Sequence, residues 1–333
     1  MTVMLGYEAL RGVLGMRDAI DLLEETLSHE AAGKTFVSPK FVSDFGSGSM
    51  RMLFAADHQA GYAATKAYHT IQGVGTRYVV SLYRLKDGEL LALLDGRLIT
   101  DLRTGAASGV VARKVNLSGS ISVGMIGSGN QARTQLECLA AVYPLESAAV
   151  FSPTAANRTA FAHEMSAKLA IPVSAVDSAE AAVRGCRVIV TASNSRSSEP
   201  ILRGEWLAGC RLLCAVGNTR PQFAEADVRC FRDAGLVVVD TPHAVEEAGD
   251  LRQAVKSGAM PETKRATLAQ IVTGAIAVPR EGLIAFKSVG TALQDLALAV
   301  RYYEVLRERP GLPAAAELAS LRPSIRSGSP TQP

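Results

Sequence analysis

The sequence predicts an α/β protein: a doubly wound parallel sheet in the central part, joined to an N-terminal third of α+β character. Two observations carry this. From Ser120 onward, short and continuously apolar segments alternate with helical patterns, the rhythm of parallel strands covered on both faces. At the head of that region, the apolar run Ile121–Ile126 leads into Gly127-Ser128-Gly129-Asn130-Gln131-Ala132, and a helical pattern follows from Gln131 to Val142. Strand, glycine turn and helix in that order read as a Rossmann-type dinucleotide turn. Gly127 permits the tight turn, Gly129 lets backbone approach a pyrophosphate, and Ala132 lets helix and strand pack closely. The N–H groups that open the helix, from Asn130 and Gln131 onward, are placed to hold phosphates.

Taken in order, Met16, Ile20, Leu23 and Leu27 recur at helical spacing, and Gly33 is a suitable stop. Strand-like stretches follow at Met50–Ala56, Ala63–Ile71 and Arg77–Leu85. Lys86-Asp87-Gly88 then turns the chain into Glu89–Leu94 as an antiparallel hairpin. Leu98 to about Val115 is a helical pattern rich in Ala and Gly, which predicts close packing and a bridge between two domains. The predicted parallel strands are Ser122–Ile126, Ala148–Phe151, Arg187–Thr191, Leu212–Val216 and Leu236–Asp240. Helices are expected around 131–142, 155–169, 178–184 and 224–232, then from Pro242 to about Ser257, from Thr267, and over Thr291–Arg307. The tail from Pro310, rich in Pro and Ser, is expected to be partly disordered.

Composition narrows the class. The chain has 333 residues, 48% hydrophobic and 20% charged, with a net charge of +3. That charge is too small to point to nucleic acid or a membrane surface. No apolar run reaches the roughly 18 residues of a spanning helix, and Met1–Gly6 begins no secretory signal. The five cysteines (138, 186, 210, 214 and 230) form no C-x-x-C pair, which predicts reduced thiols in a cytoplasmic protein. No cysteine–histidine cluster has the spacing of metal ligands, so no metal is expected.

The second strand of the nucleotide region speaks to the coenzyme. Strands that prefer NAD end in Asp or Glu for the ribose hydroxyls, whereas this one ends Val150-Phe151-Ser152-Pro153-Thr154. Ser152, Thr154, Asn157 and Arg158 would gather donors and a cation near a 2′-phosphate, which favours NADP(H) with NAD(H) possible. An ordinary capped helix with a solvated Arg158 remains the alternative.

Several separated segments together resemble the ornithine cyclodeaminase/mu-crystallin family of NAD(P)-dependent enzymes. They are Lys66, Leu98-Ile-Thr-Asp-Leu-Arg103-Thr-Gly-Ala-Ala107, Gly127–Ala132, Glu199-Pro-Ile-Leu-Arg-Gly-Glu-Trp206, Ala215-Val-Gly-Asn-Thr-Arg-Pro221 with Glu225, and Phe286-Lys-Ser-Val-Gly290 with Asp295. The stretches around Trp206, Arg220 and Phe286 look most like the mu-crystallin, ketimine reductase branch.

The resemblance implies a homodimer. It assigns residues 1–117 and 291–315 to a dimerisation and substrate domain, 118–290 to the Rossmann domain, and 316–333 to a flexible tail. The active site would lie between the domains and take small 2-imino or 2-amino acids. Lys66 matches the family's active-site lysine and Arg103 the arginine that grips the substrate carboxylate; from sequence alone, each is also readable as a surface residue. Lys40 falls near where cyclodeaminases place a second carboxylate-binding arginine. Thr104, Thr191, Ser193, Val216, Gly217, Ser288 and Gly290 become coenzyme contacts, and Thr219 and Arg220 substrate-side candidates.

Two departures shape the expected reaction. Cyclodeaminases carry an acidic residue where this chain has Thr219, and a hydroxyl cannot replace a carboxylate base. A second acidic position, upstream of the lysine, is filled by Met52 or Leu53. The expectation is an NAD(P)H-dependent reductase of small 2-imino acids, such as cyclic ketimines. An alanine-type dehydrogenase, a cyclodeaminase and a non-catalytic ligand carrier are the alternatives. His58 and His69 are expected at surface or supporting positions, and Glu246, Glu247 and Asp250 on a solvated helix face.

Overall fold

A computed structural model describes residues 1–315 of the chain. The segment 316–333, expected to be flexible, lies outside the described residues. The chain opens with strand β1 (Thr2–Leu5), a single turn α1 (Tyr7–Leu10) and helix α2 (Met16–Ala31), which buries Ile20, Leu23 and Leu27 at the spacing read from sequence. Strands β2 (Thr35–Val37), β3 (Phe41–Phe45), β4 (Gly48–Asp57), β5 (Tyr62–Ile71), β6 (Gly75–Arg84) and β7 (Leu90–Asp95) follow. They form a mixed sheet in which β4 pairs with β5, β5 with β6 and β6 with β7, all antiparallel. The β6–β7 hairpin closes at Gly88, whose φ of 73° is the left-handed conformation the turn requires.

Helix α3 (Gly96–Val115) begins at an Asp95 cap that accepts from Arg97 N. It joins the two halves of the molecule, and its small residues explain how. A Cβ on Gly109 would lie 2.7 Å from Ile20 Cγ1 and 2.8 Å from Cys138 Sγ. Backbone at that point is therefore wedged between α2 and the first helix of the nucleotide region.

The second sheet holds β8 (Ile121–Ile126), β9 (Leu145–Phe151), β10 (Val173–Ala175), β11 (Val188–Thr191), β12 (Leu212–Ala215), β13 (Ala234–Val239), β14 (Arg265–Thr267) and β15 (Leu283–Lys287). Every pairing in it is parallel, in the order β10-β9-β8-β11-β12-β15-β13-β14. The helices between its strands are α4 (Asn130–Val142), α5 (Ala155–Leu169), α6 (Ala179–Val183), α7 (Val228–Arg232), α8 (Ala244–Glu247), α9 (Gly249–Lys256) and α10 (Leu268–Thr273). The chain leaves β8 toward β9 and later returns to β11 on the other side. That reversal opens a crevice at the carboxyl ends of the strands.

Helix α11 (Ala292–Leu306) leaves the parallel sheet directly after β15 and packs on α2, α3 and the mixed sheet. One apolar core runs from the mixed sheet through α2, α3 and α11 to one face of the parallel sheet, and a second core lies under α6, α7 and α9 on the other face. The sheet is therefore a Rossmann-like parallel sheet, and the N-terminal strands with α11 form an α+β unit against it.

Several expectations change. Strand β15, which carries the Phe286-Lys287 motif, is an addition to the expected strands and lies inside the sheet between β12 and β13. The helix expected over 224–232 is only Val228–Arg232, because Glu225 is drawn inward as an acceptor and Asp227 caps α7 through Cys230 N. The helix expected from Pro242 breaks at Ala248, whose backbone is extended. Pro310–Ala315 is partly ordered: Met4 N donates to Pro313 O at 2.8 Å, and β16 (Ala314–Ala315) pairs with β1. All five cysteines are free, and four of them are buried. No helix among the described residues is long and apolar enough to cross a membrane.

Candidate active site

A cleft of about 400 Å³ lies between the two sheets. Its walls come from β4, β5, β6 and α3 on one side, and from the loops after β11, β12 and β15 on the other. Lys66, Arg103, Thr104, Gln131, Ser193, Val216, Gly217, Thr219, Arg220 and Ser288 all line it.

Lys66 is 2% exposed. Strand alternation puts Lys66 and Tyr68 on the same face of β5, opposite Leu53 and Arg51 of β4 and Val80 and Tyr78 of β6. The ammonium donates to Thr100 Oγ1 at 2.7 Å and to Asp295 Oδ1 at 2.8 Å, and it lies 5.1 Å from the centre of the Tyr78 ring. The Thr100 hydroxyl in turn donates a hydrogen bond to Gly96 O. Two of the three lysine donors are thus used among the described residues, and the third has no acceptor among them. Burial lowers the Lys66 pKa to about 8, with the nearby Arg103 and Lys40 charges adding to the effect and Asp295 opposing it.

Arg103 donates through Nη1 to Gln294 Oε1 at 3.2 Å. Its Nε is 3.3 Å from Asp295 Oδ1 yet too poorly aligned for a hydrogen bond, so the pair is held by charge. Gly290 shapes this position. With φ at 78°, its missing Cβ would fall on the guanidinium, 2.8 Å from Arg103 Cζ. Expected as a coenzyme contact, Gly290 here makes room for the arginine.

The other predicted residues separate into groups. Lys40 does not line the cleft; its ammonium donates to Glu247 Oε2 at 2.6 Å and to Val289 O at 2.9 Å, tying the loop after β2 to the parallel-sheet half. Thr219 Oγ1 accepts from Arg51 Nη1 at 3.2 Å, so its own proton stays available. Arg220 reaches Ser49 Oγ at 3.1 Å and Asp44 at 3.4 Å.

Glu247 and Asp250, expected on a solvated face, are engaged. Glu247 holds Lys40, while Asp250 is buried with Lys287 at 3.0 Å. The break at Ala248 turns these carboxylates toward buried lysines, which would be costly without them.

On the nucleotide side, the N-cap of α4 is Gly129, and no side chain caps it. A Cβ there would meet nothing within 4 Å, so the space beside the start of α4 is open at Gly129. Gly127, φ 115°, takes the glycine-only turn expected of it and also serves packing: its Cβ would lie 2.6 Å from Ala192 C. Asn130 opens the helix, and Gln131 Nε2 donates to Asp101 at 2.8 Å. At the end of β9, Ser152 is linked to Ser128 Oγ at 2.9 Å, and Thr154 is the N-cap of α5. Arg158 donates to Ser152 O at 3.0 Å and meets the exposed Asp177 at 2.5 Å. The residues present fit a dinucleotide: an uncapped helix start, open space over the glycine and no carboxylate at the end of β9.

Three important residues were not predicted as site residues. Asp295, in the first turn of α11, holds both Lys66 and Arg103. Glu225 is fully buried; it accepts from Ser193 N and Asn218 N at 2.8 Å and from Thr191 Oγ1 at 3.3 Å, joining the loops after β11 and β12. Arg51 lines the cleft, 8% exposed, with Tyr68 and Thr219 as its partners. One signal could have found Arg51: it shares the inward register of β4 with Leu53 and Ala55.

The chain is 32% identical over 320 residues to alanine dehydrogenase of Archaeoglobus fulgidus, covering 91% of this chain and 94% of that protein. It is 32% identical over 225 residues to the ketimine reductase mu-crystallin of Mus musculus, covering 68% of each. The structure of Thermococcus litoralis Delta(1)-pyrroline-2-carboxylate reductase in complex with NADH and L-proline superposes with a TM-score of 0.87 at 29% identity, covering 94% of this chain and all of that one. The family pattern matches residues 1–309, and the chain belongs to the ornithine cyclodeaminase/mu-crystallin family.

Proposed function

We propose that this protein is an NAD(P)H-dependent reductase of small 2-imino acids. The convergence of Lys66 and Arg103 on the cleft that the nucleotide loops also line carries the reading. Relatives that reduce ketimines and pyrroline-2-carboxylate support it.

Arg103 would present its outer edge to the substrate carboxylate and orient the adjacent carbon. Lys66, protonated below about pH 8, would direct its third N–H at the substrate and keep the imine nitrogen protonated. The Thr219 hydroxyl accepts from Arg51, and its own proton would order a water beside the substrate that exchanges protons with Lys66. The coenzyme, when bound, supplies the hydride that the imine carbon receives. The first turn of α4 would hold its pyrophosphate. Ser152, Thr154 and Arg158 favour NADPH, with NADH as the second coenzyme. We also propose a homodimer through the mixed sheet, which exposes Phe36, Phe41, Phe45, Met52 and Val79.

Reductive amination of a 2-oxo acid is a second reading, favoured by identity to an alanine dehydrogenase over nearly the whole chain. The deciding experiment follows NADPH and NADH oxidation with preformed cyclic 2-imino acids and with pyruvate plus ammonia. Faster turnover of preformed imines is expected. Coenzyme binding without oxidation by any imino acid would overturn the proposal.

A further inference from the structure

We propose that the substrate carries a second carboxylate, held by Arg51, so that the preferred substrate is a small 2-imino dicarboxylic acid. This rests on the reading of the cleft just given and narrows its substrate.

Charge balance points to it. Arg51, Lys66, Arg103, Arg196 and Arg220 line the cleft, and no aspartate or glutamate does. Behind the wall, Asp295 offsets one of the two charges on Lys66 and Arg103. One positive charge remains there, which a single substrate carboxylate balances. Arg220 has Asp44 beside it, and Arg196 is exposed to solvent.

Arg51 is different. It is buried, yet its Nη1 donates only to two neutral oxygens, Tyr68 Oη and Thr219 Oγ1, each at 3.2 Å. Its Nε is buried with no hydrogen-bond partner among the described residues. A guanidinium removed from water without an anion is costly, and a ligand carboxylate would supply the missing charge and a partner for the free edge.

The placement suits a short molecule. Arg51 is directly opposite Tyr68 in the β4–β5 register, and Lys66 is two residues from Tyr68 on the same face. Such diagonal neighbours lie roughly 7–8 Å apart along a sheet. The Arg51 Cζ and the Lys66 Nζ are 5.8 and 5.7 Å from the centre of the same Tyr68 ring. A substrate with one carboxylate at the Arg103–Lys66 end and another two or three carbons away would span both cations.

The test compares kcat/KM of the whole enzyme with saturating NADPH or NADH across two sets of substrates. One set is oxaloacetate plus ammonia and 2-oxoglutarate plus ammonia. The other is pyruvate plus ammonia and 2-oxobutanoate plus ammonia, which differ from the first set only in lacking the second carboxylate. The dicarboxylates are expected to be about 10-fold or more better, and Arg51→Met to lower the dicarboxylate-to-monocarboxylate ratio by about 30-fold, with Arg51→Lys recovering part of it. NADH fluorescence reports whether the Arg51→Met protein is folded; if it is not, the wild-type preference alone decides. Better turnover of monocarboxylates, or an equal loss on both sets in Arg51→Met, overturns the second carboxylate while leaving imine reduction in place. No turnover of any imine overturns both.

Discussion

The Lys66 ammonium sits 2.8 Å from Asp295 Oδ1, although the two residues are 229 positions apart in the chain. One comes from the middle of a strand in the mixed sheet and the other from the first turn of α11. The carboxylate that permits lysine burial also attracts Arg103, so one acidic residue positions both cations of the cleft.

That arrangement predicts a pH profile. Lys66 titrates near 8, lowered chiefly by burial. For imine reduction the protonated form is needed, so kcat/KM should fall as pH rises through about 8. Asp295 raises this pKa, so Asp295→Asn should move the basic limb to lower pH. Lys66→Met should lower kcat by about 100-fold or more. An unchanged basic limb in Asp295→Asn would separate Lys66 from the observed titration.

Gly290→Ala should damage the site through Arg103. The added methyl meets the guanidinium, and the left-handed backbone at that position strains any other residue. A loss of roughly 10–100-fold in kcat/KM is expected, mainly through KM, as for misplacement of an orienting group. Steady-state kinetics together with coenzyme titration would check it, since coenzyme affinity should change far less.

Arg158 tests the coenzyme preference. Removing its guanidinium in Arg158→Ala should lower kcat/KM for NADPH about 10-fold relative to NADH, the worth of one charged hydrogen bond. Parallel assays with both coenzymes measure the ratio, and an unchanged ratio would leave Arg158 as a partner of Asp177 alone.

Glu30 predicts a stability effect across the two halves of the molecule. Burial, then the Asp240 carboxylate, raises its pKa from 4.5 to about 7. The folded state therefore keeps a proton that the unfolded chain releases. The cost begins above pH 4.5 and is complete above about 7. Glu30→Gln should consequently gain ~2 kcal/mol more stability at pH 8 than at pH 4. Urea unfolding at the two pH values measures this, and equal changes would count against it.

The sequence by itself determined the strand–turn–helix at 121–142, the parallel character of the central sheet and the packing role of the Ala/Gly-rich helix from 98 to about 115. These are local properties: runs of apolar residues, glycine backbone freedom and helical period all lie within a few residues of one another. Lys66 and Arg103 were reached through an ordered resemblance, since nothing adjacent to either reveals its partner. Only the tertiary structure decided that Asp295 joins them, that Lys40 and Glu247 tie the halves together, and that Arg51 enters the cleft. Each of those facts depends on which strand faces which helix across the crevice. Burial then converts that distant pairing into charge and hydrogen-bond energy that no local pattern records.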